Sequence, residues 1–304
     1  MKRLFIILCL FLLVLPAAAE ELNRASEAPG VIVRYSDGGR NWAARTLKLF
    51  PHANEQALSS LGIAANRRVS IHLYQTTAGF QNATRFKLPD TLGVAIPSAN
   101  LIVIDCSKTE IHGPNNLALT LKHEMVHIAF GRVENRSGHR VPLWFNEGVA
   151  CWLSGRVYHG EQVHLTQAVN TDSLFPLSEI AGGFPTARYE RELAYQQSEA
   201  AVRFIVSRYG SLAIKQIVRL MEQGQPFEQA LGKVTMGIDF EAALKDHLRQ
   251  EYPVFALLRT IFSLFTMMAF LAILAWVIYR IRRRRTMREW KKEEESIYTD
   301  DYDY

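Results

Sequence analysis

The run KHEMVHIAFGR at residues 122–132 is followed shortly by LWFNEGVACW at residues 143–152, and the relation between these two stretches decides how the chain is read. Residues 123 and 127 are one helical turn apart, so both imidazoles leave the same face of a helix. Two neutral imidazole nitrogens at that spacing can hold one Zn²⁺, each at about 2.0–2.1 Å. Glu124, next in the chain after His123, can then take a proton from a water molecule at such a metal. The five-residue pattern alone arises by chance in on the order of one chain in a hundred of this length, so a third ligand is needed.

A histidine six residues beyond His127 would supply an extended His-x-x-His arrangement, but that position is Val133. The remaining candidate is Glu147, with 19 residues between it and His127 and Pro142 at a plausible helix start. Leu143, Trp144 and Phe145 lie just before it, which places the carboxylate in a packed helix. Burying a bare carboxylate is costly unless it is paired or bound to a metal. The two motifs therefore support one another.

HEMVH followed by WFNEGVA resembles the gluzincin metallopeptidases, most closely their peptidase MA-like branch. The resemblance implies His123, His127 and Glu147 as ligands of one zinc ion per chain and Glu124 as general base. It also implies a thermolysin-like α+β catalytic domain and a peptide or protein substrate. GVAIP (93–97) stands thirty residues before His123, where gluzincins place the edge strand that pairs with substrate backbone. The AYQQS segment resembles the family's A-Y-x-x-S helix start and puts Tyr195 forward as a phenol donor to the oxyanion, with an ordinary packed tyrosine as the alternative. Two departures stand out. GVAIP has none of the acidic residues by which gluzincin aminopeptidases hold a free amine, which favours an endopeptidase. Cys151 occupies the position, four residues after the glutamate, where thermolysin-like enzymes carry an aspartate that braces a ligand histidine.

The ends of the chain set its compartment. MKRLFIILCLFLLVLPAAAE has a short basic start, an apolar run over 4–15 and small residues at 17–19, the layout of a secretory signal peptide cut after Ala19; an uncleaved anchor is the alternative. Ile261 to Tyr279 is 19 residues without a charge, about 28 Å as a helix, followed by an arginine cluster that marks a cytoplasmic side. Five arginines between 280 and 285 account for the formal net charge of +5, so no nucleic-acid partner is implied. The expected organisation is signal peptide 1–19, extracytoplasmic domain 20–258, membrane helix 259–280 and cytoplasmic tail 281–304. That places the protein in a cell membrane as a single-pass chain, in the inner membrane if the cell is Gram-negative. Cys106 and Cys151 remain in an oxidising compartment, as a disulfide or as two buried thiols.

Strands are predicted at 31–35, 68–74, 91–96 and 101–105, with a helix over 42–61 between the first two. Helices are predicted at 117–130, 142–153, 194–210, 212–224 and 240–252. Strands first and helices afterwards argue for an α+β class rather than alternating βαβ units. Residues 156–190 read as irregular, either a cleft loop or surface packing. Three functions fit these features: a membrane-anchored zinc endopeptidase, a non-catalytic ectodomain stabilised by zinc, and a zinc hydrolase of a non-peptide amide.

Overall fold

Every second residue is buried along β2 (Val31–Tyr35) and β3 (Val69–Tyr74), as expected for strands with one face on a core. In the computed structural model, which describes residues 20–64, 68–85, 91–111, 113, 115–155 and 162–300, these strands pair in parallel. The leader expected over 1–19 lies outside the described residues. β3 also pairs in parallel with β5 (Leu101–Asp105). β4 (Gly93–Ile96) runs antiparallel to β5, and β1 (Arg24–Ala28) antiparallel to β2, giving the order β1-β2-β3-β5-β4.

The class is mixed α+β and mostly helical, but one expectation is corrected. The helix expected over 42–61 is present as α1 (Arg40–Leu61), but the strands that it joins, β2 and β3, are parallel, so the three form a βαβ unit of the kind the strands-then-helices reading set aside. Parallel neighbours need a long connection, and the 22 residues of α1 supply it. Pro51 does not end α1, because the buried stripe Ala43, Thr46, Phe50, Ala53, Ala57 and Leu61 holds the helix to the core on both sides of it. β1, with the polar sequence RASEA, was also unexpected. It forms as an edge strand joined to β2 by a tight turn in which Gly30 adopts a φ of 79°.

The helical part comprises α2 (Thr77–Thr84), α3 (Cys106–Ile111), α4 (Asn116–Ser137), α5 (Leu143–Ser154), α6 (Val163–Asn170), α7 (Arg188–Tyr209), α8 (Leu212–Glu222), α9 (Phe227–Val234), α10 (Phe240–Glu251) and α11 (Val254–Asp300). The four not predicted, α2, α3, α6 and α9, have eight residues or fewer, too short for a periodic pattern to stand out. α7 begins at Arg188, so AYQQS lies inside it and does not start it. Glu190 in its first turn and the Arg188–Glu192 pair at 2.8 Å stabilise that earlier start.

Two compact units result. The first holds residues up to 165 together with Leu174–Lys245. Its central helix is α4, which packs against α1, β4, α5 and α8 and is buried over most of its circumference. Trp144, Phe145, Phe130 and Phe227 form an aromatic cluster beneath α5, with centroid separations of 4.9–5.7 Å. Of the stretch read as irregular, the described residues around Phe175 and Ala181 pack in place. Gln197 accepts from the Phe175 amide at 3.0 Å and donates to its carbonyl at 2.6 Å, and the Ala181 carbonyl accepts from the first amide of α5 at 2.7 Å. Cys106 and Cys151 are separate buried thiols.

The second unit holds Thr166–Ser173 and the chain from Asp246. Within it Arg249 pairs with Asp172 at 3.0 Å. α11 is one unbroken helix, and its Phe262–Lys292 stretch is long and apolar enough to cross a membrane by length and composition. The Arg280 guanidinium lies 5.0 Å from the centroid of the Trp276 ring, a cation–π contact where the apolar stretch meets the arginine cluster.

Candidate metal centre

His123 and His127 lie on one face of α4 with ring centroids 4.8 Å apart and planes at 81°. α5 crosses this face and brings Glu147 to it. One carboxylate oxygen, Oε2, stands 3.3 Å from His123 Nε2 and 3.6 Å from His127 Nε2. The three ligand atoms lie within 4.8 Å of one another. Three donors at about 2.0–2.2 Å around a tetrahedral ion sit about 3.4 Å apart, so the two nitrogen–oxygen separations match the edges of a zinc polyhedron. An imidazole, imidazole, carboxylate donor set suits that metal.

Asn146, the residue before Glu147, was not singled out in the sequence. Its side-chain oxygen accepts a hydrogen bond from His127 Nδ1 at 2.7 Å. The proton therefore resides on Nδ1, leaving the Nε2 lone pair on the side of Glu147. With Cys151 where a bracing aspartate would stand in thermolysin-like enzymes, Asn146 provides the brace for His127. Its adjacency to the ligand glutamate was the available signal.

Burial disfavours the charged His127 imidazole, but the carboxylates of Glu147 and Glu124 and the hydrogen bond to Asn146 outweigh it and raise its pKa above the ordinary value. Glu124 is itself 4 % exposed and lies under the first residue of β4, with Gly93 directly over its side chain. β4 is one of the two edge strands of the sheet, as expected from GVAIP. Tyr195 is half-buried on α7, its ring edge-on to Phe184 at 4.9 Å. The structure thus gathers His123, His127 and Glu147 into one group and sets Glu124 within electrostatic range of it.

Close approaches at glycine hold this arrangement. A Cβ on Gly148, next to Glu147, would collide with the Ser198 carbonyl and the Val202 side chain of α7. A Cβ on Gly131, one turn beyond His127, would overlap Pro97 at the end of β4. The motif glycine in WFNEG is therefore required by helix packing.

The Peptidase MA superfamily model matches residues 54–251, which contain both motifs and most of the first unit. The chain belongs to the peptidase MA superfamily. Among solved structures, this superfamily member is similar to a mutant of a two-domain M1 zinc metallopeptidase bound to L-arginine, at 16% identity and a TM-score of 0.39, over 73% of this chain and 48% of that one. It is also similar to a mutant M1 zinc metallopeptidase from Deinococcus radiodurans, at 14% identity and a TM-score of 0.37, over 72% of this chain and 47% of that one. The chain thus spans about half the length of these two structures. No curated protein matches it.

Proposed function

We propose that this superfamily member is a membrane-anchored zinc endopeptidase of gluzincin type, with a thermolysin-like catalytic domain outside the cytoplasm. One observation carries the reading: Glu147 Oε2 lies 3.3 and 3.6 Å from the two histidine Nε2 atoms, beside the buried Glu124. His123, His127 and Glu147 would hold one zinc ion per chain. A zinc ion there supplies Lewis acidity to a peptide carbonyl and makes a water molecule more acidic.

The remaining chemistry belongs to the chain. Glu124 takes a proton at its carboxylate from the attacking water and delivers it to the leaving amine. Asn146 keeps the His127 proton on Nδ1, so that Nε2 stays a lone-pair donor. β4, at one end of the sheet among the described residues, offers its outer edge to an extended peptide backbone. Tyr195 donates its phenol proton to the developing oxyanion. The absence of an acidic residue in GVAIP favours internal cleavage of a chain over removal of an N-terminal residue.

In this reading a signal peptide cut after Ala19 exports the domain, the 261–279 span anchors it, and the arginines from Arg280 stay in the cytoplasm. The test is metal analysis and peptide hydrolysis with the full chain and with Glu124→Gln. We expect one zinc per chain in both and hydrolysis only in the parent. Equal hydrolysis by both proteins would overturn the role of Glu124. Zinc without hydrolysis of any peptide in a broad library would favour a structural site or a non-peptide amide.

A further inference from the structure

Gly93 occupies the first position of β4, paired with Ile104 of β5. Glycine weakens a strand and is found there where another group comes close or where a special backbone conformation is required. The second reason does not apply, since Gly93 is absent from the glycines with positive φ. The first does. A Cβ on Gly93 would stand 2.8 Å from Thr120 Cγ2, 3.0 Å from Glu124 Oε1 and 3.1 Å from Glu124 Cγ. Thr120 and Glu124 are four residues apart on α4 and both are buried, at 0 % and 4 % exposure. Together the threonine methyl and the glutamate stem form the floor on which the edge strand rests.

We propose that Gly93 is a positioning residue for Glu124. Its bare Cα lets β4 lie directly on the glutamate stem, so strand backbone and α4 hold the carboxylate between them. Any side chain at position 93 has to displace either the strand or the Thr120 methyl and Glu124 carboxylate beneath it. β4 is held on its other side by β5 and, beyond its end, by the Pro97–Gly131 contact, so the α4 side chains beneath it move, the Thr120 methyl and with it the Glu124 carboxylate. A displacement of a few tenths of an ångström in a proton-transferring group lowers turnover without preventing substrate or metal from binding. The inference rests on the reading of Glu124 as the proton carrier.

The experiment uses the full-length chain with Gly93→Ala, Gly93→Ala/Thr120→Ser, Glu124→Ala, Gly93→Ala/Glu124→Ala and Glu124→Gln. Zinc content, Tm, and kcat and KM on a fluorogenic peptide pool are measured. We expect Gly93→Ala to keep its zinc, lose about tenfold or more in kcat and change KM by no more than about twofold. Thr120→Ser, which removes the methyl nearest the new Cβ, restores part of kcat. The drop in Tm caused by Gly93→Ala is smaller when residue 124 is alanine, because the clash is relieved. A kcat within about twofold of the parent, or the same Tm drop in both backgrounds, overturns the proposal. Full hydrolysis by Glu124→Gln would instead overturn the proton-carrier reading, and the Tm cycle would still decide whether Gly93 and Glu124 are in contact.

Discussion

The Asn146 side-chain oxygen accepts a hydrogen bond from His127 Nδ1 at 2.7 Å, while the next residue, Glu147, points its Oε2 at the other nitrogen of the same ring, 3.6 Å away. One turn of α5 therefore fixes His127 from both sides. The brace determines the tautomer and the carboxylate marks where a metal would sit.

Removing the brace should loosen the metal. Asn146→Ala is expected to weaken zinc binding about 10–100-fold in chelator competition, and Asn146→Asp, which keeps an acceptor, should fall between it and the parent. Unchanged affinity in the alanine variant would mean that His127 is oriented by packing alone.

The metal-free protein should be more stable in mild acid. Burial works against a charged His127, but Glu147, Glu124 and Asn146 together raise its folded pKa above the ordinary 6.5. A raised folded pKa means that the folded chain holds this proton more tightly. The contribution to stability is complete below the unfolded value and is lost as pH rises through the folded one. With chelator present, Tm should therefore decline from about pH 6 upward, and the decline should flatten in His127→Gln. With zinc present the trend should reverse, because the metal competes with the proton for Nε2. An identical slope in the glutamine variant would assign the effect to other groups.

Gly148→Ala should destabilise the fold by about 1–3 kcal/mol in chemical denaturation, because the new methyl meets the Ser198 carbonyl and Val202. Gly182 and Gly183 have nothing within 4 Å of an added Cβ, so alanine there should stay within about 0.5 kcal/mol of the parent. Equal costs at 148 and 182 would argue against close packing of α5 on α7.

The two cysteines of the described domain should be unreactive thiols. Both are buried, and burial, reinforced by Asp105, pushes the Cys106 thiol well above its usual range. Mass spectrometry after iodoacetamide treatment should find neither alkylated in the native protein and both alkylated after denaturation. Rapid native labelling of Cys106 would show that α3 opens.

Much of the site was legible because its pattern is local. His123 and His127 share a face through helical periodicity alone, and Glu147 was marked by an acidic side chain inside an apolar helix. VIVRY and LIVID appear as strands with the boundaries expected, because β-branched residues run without interruption between turns. β1 was not legible, since its polar residues are strand only by pairing with β2. Nor was the early start of α7, whose first turns are polar and carry an ion pair between Arg188 and Glu192 instead of an apolar stripe.

The amino-acid sequence by itself determined which groups can bind a metal, that an uncharged apolar stretch lies at 261–279, and that most of the helices follow the last strand. Only the tertiary structure decided that Asn146 rather than residue 151 braces His127. It alone laid Gly93 on Glu124 and Gly148 against α7, and made β2 and β3 parallel. The physical reason is range: periodicity and composition act within a few residues, whereas these contacts join residues between 19 and about 50 positions apart, and close packing between whole elements determines which of them meet.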